Sequence, residues 1–373
     1  MLYEIDSTFT DSIIYNKPPT YITNTLDSTA NFQLTNLKEG KYMLLAIKDV
    51  GNNNLFNQKT DKIAFLKDFI TIPTDSVYRL NLFKEVPDYR AKNPVLASKN
   101  RIIFGYEGNI DGIDIELMSD TPEDYKSLIT KDNEKDTLNY WFTPFEVDSL
   151  VFKVSHPTKI DTFTVKIKDL YRDSLVLNPV ERRNIGFEKP YIITANIPLV
   201  NSDKSKISLL DKDSVAVAFE SQIDTLKNEF KLKWDVKPEE RYRLQLLPEA
   251  LKDYYDNTND TLDYFLNSKS YADLGSINVT LQNVDAYPII VQLTDENGRV
   301  EAEKYADKPQ TTYDFRYLEP KNYLIRVIFD TNKNGKWDTG SYLSKYQPER
   351  IAYFPNSIEL RANWERQESF ILN

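Results

Sequence analysis

Apolar and polar residues alternate along much of this chain. Across residues 323–329, Tyr323, Ile325, Val327 and Phe329 share one side of an extended segment, and Leu324, Arg326 and Ile328 share the other. That pattern predicts a strand buried on at least one face. Phe230, Leu232, Trp234 and Val236 alternate in the same way, as do Tyr242, Leu244 and Leu246, and Phe163, Val165 and Ile167. Residues 12–15, 78–83, 101–106, 149–154 and 289–293 read as further strands, and Asp295 to Gly298 as a hairpin turn. Helical signals are few. Thr121-Pro122 with early acids predicts one short helix or turn, and residues 248–253 can make one or two helical turns. The expectation is an all-β protein.

The pattern also repeats. Tyr42 to Asp49 keeps the spacing of Tyr323 to Asp330, Asn53 falls where Asn334 does, and Phe56 takes the place of Trp337. Leu37 and Leu318 precede the two copies at the same distance, and Ile63 to Phe65 and Ile351 to Tyr353 follow them. A chain that opens and closes with one kind of module has a modular architecture. Polar, proline-containing connectors near residues 86–94 and a fresh start of the pattern near Asn178 mark the joints. The expected division is 1–88, 89–178, 179–272 and 273–373, an elongated tandem row of β-sandwiches. The strand that opens the last module, at 276–281, has no counterpart before Met1, so the first module reads as truncated.

Composition narrows the partners. A formal net charge of −10 with no basic cluster gives phosphate backbones little to pair with, so nucleic acid is not expected. Cysteine is absent, which removes disulfides and thiolate metal sites. No apolar run approaches the length of a membrane span, and the first residues lack the features of a signal peptide.

Candidate chemistry is sparse. Asp330, Asn332, Asn334, the Lys336 carbonyl and Asp338 surround Gly335 in the spacing of an oxygen cage for calcium. Ser341 stands where the closing acid belongs, so Glu349 is the substitute ligand; the plainer reading is that Asp and Asn cap turns. The Asp49 loop is a weaker version, with Gly51 and Asn57 at ligand positions. The lone His156 precedes Pro157 and has no cysteine to act with, and no carboxylate pair or Gly-rich phosphate loop stands out, so the chain reads as a non-enzyme. Tyr254-Tyr255, Tyr140-Trp141 and Trp364 are the candidates for a sugar-stacking surface, but core or junction packing is the plainer reading, since large aromatics are mostly buried.

Repeatedly an Asp precedes Ser or Thr and then an apolar residue, as where it places hydroxyls at Ser12, Ser76, Thr137, Ser149, Ser174, Ser214, Thr225 and Thr261. Such pairs make good turn exits before strands. The repetition also resembles the O-glycosylation sequon of extracytoplasmic Bacteroidota proteins, which makes these hydroxyls candidate modification sites.

Residues 37–49, 61–65, 80–85, 101–108 and 347–354 together resemble the Ig-like domain-containing envelope lipoproteins of Bacteroidota, and the likeness covers essentially the whole chain. The resemblance implies prealbumin-like (Cna-B-type) sandwiches at both ends and Ig-like domains between them, and carries no catalytic residues across. It implies an extracytoplasmic, outer-membrane-associated place. The expected role is to present sandwich modules to a protein partner in an outer-membrane complex or in adhesion. The alternative is a carbohydrate-binding protein for glycan capture at the cell surface. No cofactor other than calcium is expected.

Overall fold

The computed structural model describes residues 1–25, 30–132 and 135–372. It is built almost entirely of antiparallel sheets, with three short 3-10 turns among the described residues. The all-β tandem array of sandwiches is therefore the architecture. Most of the predicted strands recur with their faces as read. Phe230, Leu232, Trp234 and Val236 are buried together with Tyr242, Leu244 and Leu246 in one core, and Phe163 and Val165 join another around Phe104, Tyr140 and Phe152.

The last module shows the complete plan. Gly275–Gln282 lies between Thr312–Leu318, antiparallel, and Glu365–Ile371, parallel, in one layer. Ile289–Thr294, Asn322–Phe329, Val300–Ala306 and Ile351–Tyr353 make the other, with Ile358–Glu359 beside Asn322–Phe329. Their inner faces meet in a core of Ile277, Val279, Val291, Leu293, Tyr313, Phe315, Tyr323 and Val327. Gly275 allows close packing here, since a Cβ would lie 2.8 Å from the Leu360 side chain.

The first module repeats only one layer of that plan. Leu2–Glu4 and Lys62–Phe65 flank Gly40–Lys48, and Ile70–Ile72 pairs with its start. The register confirms the repeat: Tyr42 faces Ile70 as Tyr323 faces Ile358, and both phenols donate to a carbonyl four residues back, Lys38 O at 2.9 Å and Glu319 O at 2.8 Å. No described segment fills the central place that Gly275–Gln282 takes in the last module. Without that partner, the flanking segments cannot pair as strands, and residues 31–37 and 76–82 come out irregular. Phe32, at the position of the 1 % exposed Tyr313, is 36 % exposed. This explains why the strand expected at 78–83 is absent; only Phe83 bridges, to Ile63.

Two other expectations change, and a third, the helix or turn at 121–125, comes out as the turn. Residues 12–15 form part of a 3-10 turn, Asp11–Tyr15, that buries Ile14. The signal at 121–125 is a turn closed by Tyr125 N–H on Pro122 O at 3.2 Å. Residues 251–253 are a strand against Leu199–Ser202 and not a helix, because Leu251 is buried in the core beside Leu199 and extended pairing outweighs the local helical signal.

The row also closes on itself. Lys59 meets Glu107 at 2.7 Å between the first and second modules. Tyr255 of the third donates to Asn100 O (2.7 Å) and Phe142 O (3.1 Å) of the second. Phe187 packs 4.8 Å from Tyr317 between the third and fourth. Where elongation pictured the two end modules far apart, a loop of the fourth is packed into the core of the first. No helix of the described residues is long and apolar enough to cross a membrane.

Candidate functional site: the Asp/Asn loops and the inter-module contact

The strand Asn322–Phe329 delivers Asp330, fully buried, into the loop singled out above. Its Oδ1 accepts Asn334 N–H at 3.1 Å and its Oδ2 accepts Gly335 N–H at 2.8 Å, while Gly335 takes φ 77°. Asn332 and Asn334 each turn a side-chain Nδ2 toward Asp338 Oδ2, both at 2.6 Å. Asn332 Oδ1 accepts Asn334 N–H and Asn334 Oδ1 accepts Lys336 N–H. Glu349, the substitute ligand, does reach the loop: its Oε1 accepts Thr331 N–H at 2.6 Å and its Oε2 accepts Asp338 N–H at 3.1 Å. The structure thus brings Asp330, Asn332, Asn334, Asp338 and Glu349 into one circuit. In that circuit the carboxylates accept N–H groups from the loop, which is what capped turns require. A cation would need the two amides to rotate and offer Oδ1 in place of Nδ2. Among the described residues no group of three or more His, Cys, Asp or Glu is arranged to hold a metal.

The Asp49 loop is built the same way. Asp61, two residues before Ile63 as Glu349 is before Ile351, is buried and spans the loop: Oδ1 accepts Val50 N–H at 3.1 Å and Oδ2 accepts Asn57 N–H at 2.8 Å. Val50 and Asn57 are the counterparts of Thr331 and Asp338. One buried or half-buried carboxylate thus ties both ends of each loop. Asp49 Oδ2 accepts Asn54 N–H at 2.7 Å, whereas its Oδ1 is buried without a partner.

The copies differ in length. Fourteen positions separate Trp337 from Ile351, but seven separate Phe56 from Ile63. The extra chain in the last module carries Tyr342, which is fully buried among Tyr3, Ile14, Met43, Leu45, Phe65 and Phe83 of the first module. Its hydroxyl donates to Met43 Sδ at 2.8 Å, and its backbone N–H donates to the buried Glu85 carboxylate. Around it, Thr339 Oγ1 donates to Lys84 O (2.6 Å), Lys345 Nζ pairs with Asp11 (2.6 Å), and Gln347 Nε2 donates to Phe65 O (3.0 Å). Burial raises the Glu85 pKa, against the opposing bonds from Tyr342 and Gln58. Sequence reading missed Tyr342 and Glu85; the unequal loop lengths were the signal that could have found them.

The remaining candidates are placed as follows. His156 stacks on Tyr89 at 4.0 Å, and its Nδ1 bonds Thr158 Oγ1 at 2.8 Å and accepts Thr158 N–H at 3.2 Å, which closes the turn. Tyr140 and Trp141 are buried, Trp141 Nε1 donates to Thr130 Oγ1 at 2.9 Å, and Tyr254 and Tyr255 pack half-buried at a joint. Trp364 alone of that set is well exposed, at 41 %. The five sugar candidates therefore do not form one surface. Of the eight sequon hydroxyls, Ser12, Ser76, Ser174, Ser214 and Thr261 are exposed, whereas Thr137, Ser149 and Thr225 are half-buried and Thr225 donates to Leu199 O at 2.8 Å.

No family model matches this chain, and no curated protein matches it. Among solved structures it is similar to titin domains A168–A170 at 8 % identity and TM-score 0.19, over 65 % of this chain and 91 % of that one. It is similar to domains 4–9 of the surface layer protein SbsC at 10 % identity and TM-score 0.25, over 84 % and 53 %. It is also similar to BcpA, the major pilin subunit of Bacillus cereus, at 11 % identity and TM-score 0.19, over 73 % and 84 %. The fold class rests on the chain's own strand pairing.

Proposed function

We propose that the protein is a non-enzymatic, extracytoplasmic structural and interaction protein of the bacterial envelope, related to the Bacteroidota Ig-like lipoproteins, whose four modules present loops and sheet edges to a protein partner of an outer-membrane complex or of adhesion. The observation that carries this reading is the seating of Tyr342 in the core of the first module. A row of sandwiches joined only in sequence can flex at each joint. One that is also joined first to last holds its loops at fixed separations, which favours docking because less motion is lost on binding. The side chains with chemical potential serve the same end. His156, Asp61, Asp330 and Glu349 each hold a loop in place.

Two features belong to this reading. Calcium at Asp330, Asn332, Asn334, Lys336 and Asp338 would rigidify the loop that leads into the Tyr342 contact. Glycans on Ser12, Ser76, Ser174, Ser214 and Thr261 would stand on exposed turns. The test is gentle detergent purification of the tagged protein from its native outer membranes, followed by mass spectrometry. A stoichiometric membrane-protein partner is expected; recovery of the protein alone overturns the reading.

A further inference from the structure

The joint between the third and fourth modules holds a cleft of about 990 Å³ that includes Phe187, Tyr317, Arg182 and Arg183 in its wall. Phe187 and Tyr317 of this wall form a continuous aromatic group with Tyr271, which stands beside them at its edge. Their ring centroids lie 4.8 Å apart for Phe187 and Tyr271, 4.8 Å for Phe187 and Tyr317, and 5.4 Å for Tyr271 and Tyr317, the last pair stacked at 29°. Rings that serve only to glue two modules are enclosed by them, yet Tyr271 is 49 % exposed.

The backbone is bent to place one of these rings. Gly275 faces Leu318 and Ile277 faces Phe315, so Thr312–Leu318 carries one residue more than its partner strand over this stretch. At the bulge Tyr317 takes φ 55°, a conformation costly for a bulky side chain.

The charges of the wall are unevenly answered. Glu319 is paired with Lys269 at 2.6 Å, Glu301 with Lys321 at 2.8 Å, and Glu303 accepts Gln292 Nε2 at 3.0 Å. Among the described residues, Arg182 and Arg183 take part in no ion pair or side-chain hydrogen bond, and of the wall's carboxylates Glu181 and Glu188 also form no ion pair. The segment carrying them is anchored, since Arg183 O accepts Asn267 N–H at 2.7 Å. A stacked aromatic surface offers its electron-rich face to the C–H groups of a pyranose, and a free guanidinium offers a two-pronged donor to a carboxylate.

We propose that this cleft and its edge bind an acidic saccharide, with a uronic-acid ring stacked on the exposed face of Tyr271 and its carboxylate held by Arg182 and Arg183. The site goes beyond the docking role above and stands or falls independently of it.

Calorimetric titration of the full chain with oligogalacturonate, and with a neutral galacto-oligosaccharide as comparison, tests it. Expected are saturable binding of the acidic oligomer that weakens with added salt, and binding at least about tenfold weaker for the neutral one. Tyr271→Ala, which removes a half-exposed ring, and the pair Arg182→Ala with Arg183→Ala are each expected to weaken acidic binding by roughly tenfold while leaving the melting temperature unchanged. Absence of saturable binding, equal binding of the two oligomers, or wild-type affinity in both variants overturns the proposal. A variant that melts early is replaced by Tyr271→Leu, which keeps bulk and loses the stacking face, with the same expected loss.

Discussion

Tyr342 of the last module donates its hydroxyl to Met43 of the first, 2.8 Å away and 299 positions earlier in the chain. The ring around that hydroxyl is fully enclosed, with Phe65 edge-on at 5.3 Å and the Lys345 ammonium 3.9 Å from its centroid. The first module has one sheet layer, so it has less apolar surface of its own to cover the Met43 face. Tyr342 supplies part of that cover.

Removing this ring has a defined outcome. Tyr342→Ala is expected to destabilise the first module by about 3–5 kcal/mol, the range for deleting a large buried aromatic side chain. The measurement is denaturant unfolding together with amide exchange. Exchange should accelerate in Gly40–Lys48 and Lys62–Phe65 while Ile289–Thr294 keeps its protection. Tyr346→Ala, which truncates a residue 52 % exposed in the same loop, is the control and should change stability by no more than about 0.5 kcal/mol. Equal effects of the two substitutions would show that the seat of Tyr342 contributes nothing.

Glycine at 340 is required for the same seat. A methyl group there would lie 2.8 Å from Pro348 N and Tyr346 O and 2.9 Å from the Phe83 ring, two of them backbone atoms that cannot swing aside. Gly340→Ala should therefore lower stability by about 1–3 kcal/mol, as overpacking does. Gly51→Ala, whose nearest new neighbour is 3.7 Å away, should be close to neutral. Matched melting curves settle the comparison.

How much of this was legible in the sequence follows from what each feature depends on. The faces of residues 323–329 and 230–236 were readable because burial of one side of a strand imposes a period of two on the local sequence. The equivalence of Tyr42 and Tyr323 was readable because both copies kept the same tether to a carbonyl four residues earlier. The convergence of Glu349 on the Asp330 loop was readable from the missing closing acid. Tyr342 was not, since its partners Met43, Phe65 and Glu85 are hundreds of positions away and its neighbours Ser341 and Ser344 carry no periodic signal. Residues 78–83 alternate like a strand yet have no central neighbour to pair with. Leu251 misled in the opposite sense, because a helical local signal yielded to pairing with Leu199–Ser202. Aromatic pairs at 140–141 and 254–255 could have made a surface, but core or junction packing was the plainer reading and is where their rings lie.

Glu85 makes the contact between the end modules sensitive to pH. Burial, reinforced by the charge of Asp88 and opposed by the bonds from Tyr342 and Gln58, raises its pKa above the ordinary value of 4.5. The folded state then binds the proton more tightly than the unfolded chain does. The stabilisation linked to this group is full below about 4.5 and is lost as pH rises through the folded pKa. Glu85→Gln fixes the side chain in a neutral form that still accepts the Tyr342 N–H. The stability of the wild type relative to Glu85→Gln should fall as pH rises from about 4 to about 7. A difference that stays flat or grows over that range would exclude the linkage.

Asp61 and Glu349 perform one task in two loops, so paired substitutions should have parallel effects. In Asp61→Asn an amide nitrogen replaces an acceptor that faces Val50 N–H or Asn57 N–H, and in Glu349→Gln the same occurs against Thr331 or Asp338. Asp61→Asn is expected to cost about 1–3 kcal/mol, the penalty for leaving a buried donor unmatched, and Glu349→Gln about 1 kcal/mol or less, because Thr331 N–H is open to water. The Asp61 variant should be the more costly, since Asp61 is 1 % exposed and also accepts Thr60 Oγ1 at 2.8 Å. Thermal unfolding of both variants measures the order.

Calcium separates the two readings of the Asp330 loop. If the loop is only a capped turn, its hydrogen bonds are complete as they stand and a cation has nothing to gain by breaking them. If it is a cage, calcium turns the amides of Asn332 and Asn334 and replaces the N–H contacts to Asp338 with metal–oxygen bonds, and the folded state alone offers that set. Binding to the folded state then adds about 2.7 kcal/mol when calcium exceeds its dissociation constant a hundredfold. The expected outcome is a melting temperature that rises with calcium and returns with a chelator. Asp330→Ala should abolish the rise and also lower the starting value, because Gly335 N–H loses its acceptor and Asn334 N–H keeps only Asn332 Oδ1. A wild-type melt unmoved by calcium, together with the same starting loss in Asp330→Ala, assigns the loop to turn chemistry and removes the cage.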